Sequence, residues 1–219
     1  MFNLIMIIVC IVLILTAIAA VFRIKKIRII EDTLQRTENQ IIGEIGAGRT
    51  ADEFKRFFRS ISSHFKILRN MYVKFDDETN TEIDIIVISE YGIFIIENKN
   101  CRGYINGSLS GEQWNFGYSD SKRVSFPNPV KQNYMHIRAV KKYMDLKYYD
   151  MIYSYIVFNN ECHLPNINID SEYIQIIQEK EIYKTLWHEV RGKVLTPSEI
   201  DKIYNELYRF SNIVIKDQM

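Results

Sequence analysis

The chain opens with an unbroken apolar run, because no residue from Phe2 to Phe22 carries a charge. At about 1.5 Å of helix rise per residue, such a run can cross a bilayer hydrocarbon core about 30 Å thick. Arg23, Lys25, Lys26 and Arg28 follow at once, whereas the leading Met-Phe-Asn has no basic side chain. The positive-inside rule then places everything after the run in the cytoplasm. A cleaved signal peptide is the competing reading, since Ala17-Ile18-Ala19 has the look of a cleavage site. Against it, the segment lacks a basic n-region and exceeds the usual h-region in length. The expectation is a single-pass anchor over residues 1–22 and a basic, helical stalk over 23–42. In the stalk Ile29, Ile30, Leu34, Ile41 and Ile42 are interspersed with charges.

Beyond the stalk the pattern changes. Gly43, Gly46 and Gly48 break it, and Thr50-Ala51-Asp52-Glu53 has the form of a capping box. It would open a helix with Phe54, Phe57, Phe58 and Ile61 at helical spacing. Phe65 to Lys74 reads as a strand and Asp76 to Asn80 as a turn. Glu82 to Ser89 and Ile93 to Lys99 read as two strands of a hairpin closed around Glu90-Tyr91. Glycines at 103, 107, 111 and 117 point to short strands and loops around Trp114. Asn128-Pro129 satisfies the N-cap and N1-proline rule, and Val130, Tyr134, Ile137 and Met144 form an apolar stripe behind it. A strand over Met151 to Phe158, a short one around Ile174 to Ile177 and two helices finish the chain, the last helix opened by the box Thr196-Pro197-Ser198-Glu199. That order defines an α/β or α+β class.

Composition narrows the picture only a little. With 47% hydrophobic and 25% charged residues the chain can build a core under a solvated surface. A net charge of +1 excludes a binder driven by overall charge, while leaving room for a local basic channel. Cys10, Cys101 and Cys162 are odd in number and lack metal-ligand spacing, which supports neither a disulfide framework nor a zinc site. No phosphate-binding GxxxxGK[ST] loop is present.

The chemistry concentrates in the hairpin. If Ile88 pairs with Ile93, counting back puts Asp84 opposite Glu97, on one face, with Cβ atoms about 4.5 to 5.5 Å apart. Two carboxylates that close can share a hard cation such as Mg²⁺. Lys99 falls on the same face and Asn98 on the other, because strand period is two. The ammonium could orient an attacking water or offset charge on phosphorus. A register slip of one residue would separate the pair. Lys99 could also simply pair with Glu82, its opposite neighbour, at an exposed surface.

Thr81-Glu82-Ile83-Asp84, Tyr91-Gly92-Ile93-Phe94, Ile96-Glu97-Asn98-Lys99-Asn100, Gly103, Gly107, Trp114 and Asn128-Pro129-Val130-Lys131-Gln132 together resemble the signature of the nuclease-related domain family. The resemblance runs from about Gly43 to Phe158 and leaves 159–219 as a C-terminal strand and helical extension. It implies a restriction-endonuclease-like fold, a central mixed sheet flanked by helices. It further implies Mg²⁺- or Mn²⁺-dependent hydrolysis of nucleic-acid phosphodiesters, DNA ahead of RNA. Asp84 and Glu97 become metal ligands, Lys99 catalytic, Glu44 the helix carboxylate and Gln132 a polar contributor from the second helix. The alternative is a non-catalytic, membrane-tethered binding module that keeps the fold.

Other groups carry weaker signals. His64, His136, His163 and His188 lack metal spacing; only His136, one turn after Gln132, could line the same face, and an ordinary surface or core histidine is the plainer reading. Lys141, Lys142 and Lys147 with Tyr143, Tyr148 and Tyr149 could track a nucleic-acid backbone, or simply form a solvated helix end.

Overall fold

The structure, a computed structural model, describes residues 2–62, 64–75, 79–119, 123–164, 167 and 174–217, with the side chains of 2–14, 39 and 212–217 outside the description. It separates into two compact units, residues 1–42 and 43–219.

The first unit is the leading part of helix α1 (Phe2–Ile61). The stalk is helical, as expected; the Thr33 and Thr37 hydroxyls donate to the carbonyls of Ile29 and Thr33 at 2.8 and 2.9 Å. Among the described residues no helix is long and apolar enough to cross a membrane. The expected anchor, Phe2 to Phe22, lies for the larger part on side chains outside the description.

In the second unit α1 runs on without a break through Gly43, Gly46 and Gly48 to Ile61, so the expected interruption and the Thr50 capping box are both overturned. Close packing explains the glycine. A Cβ on Gly46 would meet Asn98 Nδ2 at 2.9 Å and Asn100 Cβ at 3.0 Å, so only glycine lets the helix lie this near. Thr50, buried in mid-helix, donates its hydroxyl to Asn98 Oδ1 at 2.7 Å and to Glu179 Oε1 at 3.2 Å instead of capping. Phe54, Phe57 and Phe58 are buried as their spacing implies. Phe54 meets Tyr155 edge-on at 5.6 Å between ring centroids.

The central sheet joins β1 (Phe65–Lys74), β2 (Asn80–Ser89), β3 (Gly92–Lys99), β7 (Ile152–Phe158) and β9 (Ile174–Gln178) in the order β1-β2-β3-β7-β9. β1, β2 and β3 are antiparallel neighbours, whereas β3, β7 and β9 run parallel. A smaller sheet combines β4 (Gly103–Asn106), β5 (Gln113–Gly117), β6 (Val124–Pro127) and β8 (Cys162–His163) in the order β6-β5-β4-β8. The helices are α2 (Pro129–Lys141), α3 (Ile182–Glu189) and α4 (Pro197–Asp217). Asn128 caps α2 as expected: its Oδ1 accepts from Val130 N at 3.0 Å, while its Nδ2 donates to the carbonyls of Ser108, Leu109 and Gly111. The Thr196 box opens α4, with the Thr196 N–H donating to Glu199 Oε2 at 3.0 Å. The expected turn at Asp76 lies largely outside the described residues.

Both faces of the central sheet are covered. On one face, Ile85, Val87, Phe94, Ile96 and Tyr155 pack under α1 and α3; on the other, Ile86, Ile88, Ile93 and Ile95 pack under α2 and α4. A third cluster around Trp114, Ile105 and Phe158 seats the small sheet at the end of β7. The fold is therefore α+β, a mixed sheet flanked by helices, and residues 159–219 complete it by supplying β9, α3 and α4.

The strands lose their strict alternation at one place. Asn70 has a positive φ of 50°, and Leu68 and Met71 to either side of it face the same core. On β2, Ile83 and Ile86 likewise share that core, which leaves Asp84 at the slip.

Candidate active site

The hairpin closes through Glu90-Tyr91, and Gly92 takes φ 138°; a Cβ there would stand 2.8 Å from the Met151 carbonyl, so the position demands glycine. The ladder then runs Ser89↔Gly92, Ile88↔Ile93, Val87↔Phe94, Ile86↔Ile95 and Ile85↔Ile96, the register counted from the sequence. Asp84 and Glu97 come next. Here the ladder stops, and the Asn98 N–H donates instead to Asp84 Oδ2 at 2.7 Å. Burial raises the Asp84 carboxyl to about 7, with the Glu97 charge adding to the effect and the Asn98 N–H, Lys99 and His136 opposing it.

Glu97 is buried at 4% exposure, and both its oxygens are engaged. Lys99 Nζ donates to Oε1, and His136 Nε2 meets Oε2 at 2.9 Å. Burial alone would raise this carboxyl, but the Lys99 charge and the His136 contact outweigh it and hold the group below its ordinary range. The two carboxyls are thus pushed in opposite directions, Asp84 toward its protonated form and Glu97 toward its ionised one.

Lys99 lies on the Glu97 side of β3, and Asn98 points to α1. Glu82 is not its partner: Glu82 Oε2 accepts from the Tyr72 hydroxyl at 2.8 Å. His136, set aside as ordinary, belongs to the cluster. With Nε2 facing a carboxylate oxygen, Nδ1 is left to the Thr81 hydroxyl at 2.8 Å, a bonding pattern that fixes the ring in place. Its four-residue spacing from Gln132 was the signal available. Gln132 lies one turn earlier on α2, and its Oε1 is buried with no hydrogen-bond partner among the described residues.

Glu44 is exposed on α1, and its carbonyl accepts from Arg69 Nη2 at 3.4 Å. Its charge bears on the Tyr72 phenol, which is raised first by the bond to Glu82, then by burial and the Glu82 charge, and last by Glu44. It is not among the groups that shift Asp84 or Glu97. The structure therefore gathers Asp84, Glu97, Lys99 and His136, with Gln132 one turn before His136 on α2 and Glu44 at an exposed position of α1.

Among the described residues no group of three or more His, Cys, Asp or Glu side chains could hold a metal ion. Mg²⁺ does not require one, since it commonly takes one or two carboxylates and completes its shell with waters and substrate oxygens. By donor type, the carboxylates of Asp84 and Glu97 are oxygen ligands of the kind Mg²⁺ takes, and the buried Gln132 Oε1 is a further oxygen with no hydrogen-bond partner among the described residues.

The Lys/Tyr run after α2 is engaged within the fold. Lys147 pairs with Glu199 at 2.7 Å, Lys141 lies 4.7 Å over the Tyr149 ring, and Tyr148 is buried. A basic cavity of about 460 Å³ appears elsewhere, between α1 and β1, lined by Lys55, Arg59, Lys66 and Arg69 with Asp52 and Tyr204. Its cations come from two separate elements, so no run in the sequence revealed it.

The family model for the nuclease-related domain matches residues 42–159. An uncharacterized protein of Bacillus anthracis is 32% identical over 153 residues, spanning 70% of this chain and 70% of that one. No solved structure matches. The hairpin register, the Glu97-Asn98-Lys99 string at its end and a match over more than half of the chain agree, and the chain belongs to the nuclease-related domain family, whose fold is restriction-endonuclease-like.

Proposed function

We propose that this protein is a membrane-anchored, metal-dependent phosphodiesterase acting on nucleic acid, DNA ahead of RNA, with its catalytic domain in the cytoplasm. The observation that carries the reading is the buried Glu97, held between Lys99 and His136, with Asp84 beside it accepting from the Asn98 N–H. Mg²⁺ or Mn²⁺ bound there supplies activation of a water and polarisation of the phosphodiester. Asp84 and Glu97 would hold the ion, which would compete with the proton that burial favours on Asp84. Glu97 is kept ionised and aimed by its two partners, and Gln132 Oε1 offers a neutral oxygen. Lys99, with 20% of its side chain exposed, presents the cation that can offset charge on the reacting phosphate. The four cations lining the α1–β1 cavity support a polyanionic substrate.

The test is cleavage by the full-length chain of labelled single- and double-stranded DNA and RNA in Mg²⁺ or Mn²⁺. Cleavage that chelator abolishes is expected. No cleavage of any of the four would favour a tethered, non-catalytic module that keeps the fold.

Anchoring rests on the uncharged run and the basic residues directly behind it. Protease added to intact cells should leave the domain whole; a released fragment beginning near Ala20 would show signal-peptide cleavage instead.

A further inference from the structure

The sulfurs of Cys101 and Cys162 lie 3.0 Å apart although 61 positions separate them in the chain. Both are buried, Cys162 completely and Cys101 at 8% exposure. The parallel bridges Gly103↔Cys162 and Tyr104↔His163 hold the two backbones side by side. The Cys162 thiol also reaches the Cys101 carbonyl at 2.9 Å and Asn159 Oδ1 at 3.2 Å. A disulfide has its sulfurs about 2.0 Å apart, so bond formation needs an approach of only about 1 Å.

We infer that Cys101 and Cys162 form an oxidation site, a dithiol that closes into an intrachain disulfide at the end of the strand bearing Lys99. The oxidant class is a peroxide. One thiol loses its proton to solvent and attacks a peroxide oxygen, releasing water and leaving a sulfenic acid. The second sulfur displaces that hydroxyl as another water, so two thiols and one hydrogen peroxide give one disulfide and two waters.

The site connects to the proposed chemistry through Asn159. Its N–H donates to the Lys99 carbonyl at 3.2 Å, its Nδ2 to Asn100 Oδ1, and its Oδ1 receives the Cys162 thiol. Oxidation removes that last donor and ties the β3–β4 connection to β8. In a reducing compartment the dithiol is the resting form, and peroxide makes the bond transiently.

The test uses the full-length, reduced protein in detergent, treated with hydrogen peroxide, then denatured for thiol counting and peptide mass mapping. Free thiols should fall from three to Cys10 alone. A cross-linked peptide pair carrying Cys101 and Cys162, lighter by two hydrogens, should appear and revert with dithiothreitol. The Cys10→Ser chain should form the same cross-link and retain no free thiol. Cys101 or Cys162 recovered as a sulfinic acid without the cross-link, both thiols left reduced, or bridges between chains would each overturn the inference. None of these measurements depends on nuclease activity.

Discussion

Asp84→Asn should melt at a higher temperature than the parent protein at about pH 8 without metal, and the advantage should shrink toward about pH 4. The sign follows from the carboxyl's shift from 3.8 to about 7 on folding. A raised carboxyl binds its proton more tightly folded than unfolded. Its contribution is complete below the unfolded value and is lost as pH rises through the folded one. Three units at about 1.4 kcal/mol each set a ceiling of about 4 kcal/mol, which relaxation around the site reduces. Asn retains the oxygen that accepts from the Asn98 N–H and discards the charge that burial, Glu97 and solvent exclusion penalise. In the parent, metal at a hundredfold excess over its dissociation constant should add about 2.7 kcal/mol, more at about pH 8 than at about pH 6 because the ion displaces the Asp84 proton. Asp84→Asn should lose that response. Thermal melts across pH, with chelator and with Mn²⁺, read both effects; parallel curves for the two proteins would remove the case for a strained carboxylate.

Lys99→Ala should lower the cleavage rate by about a hundredfold to a thousandfold while keeping the thermal response to Mn²⁺. Lys99 is the first of the charges that hold Glu97 ionised. Without it, a buried carboxylate is left with His136 as its partner, and an added cation relieves the deficit, so the metal-induced shift should grow. Glu97→Gln, by contrast, should lose both metal response and cleavage. If Lys99→Ala cleaves at the parent rate, the lysine is only a counter-ion to Glu97.

The hairpin was legible because two apolar runs separated by Glu90-Tyr91 admit one register that buries both, and the ladder keeps that register from Ser89↔Gly92 to Ile85↔Ile96, stopping just before Asp84 and Glu97. The α2 start was legible because Asn128-Pro129 meets local rules that tertiary context does not override. Thr50 failed for the opposite reason. Its local pattern suits a cap, yet its hydroxyl is wanted across the fold by Asn98, and Gly46 is needed for contact rather than for a break. His136 and the Cys101–Cys162 contact depend on approach between residues far apart in the chain, which periodicity does not report. The end of the ladder at Ile85 was also hidden, since nothing in the composition of β1 announces the positive φ at Asn70.

β3 is buried on both faces from Gly92 to Asn98, between β2 and β7. Strands so placed exchange their amide hydrogens only through the largest openings of a protein. Slow amide exchange is therefore expected along β3 from Ile93 to Ile96, where it is paired on both sides, with Glu97 at the edge of that stretch. Motion at this end of the sheet is expected first in the Lys99 side chain, 20% exposed, rather than in the buried Glu97 that it contacts.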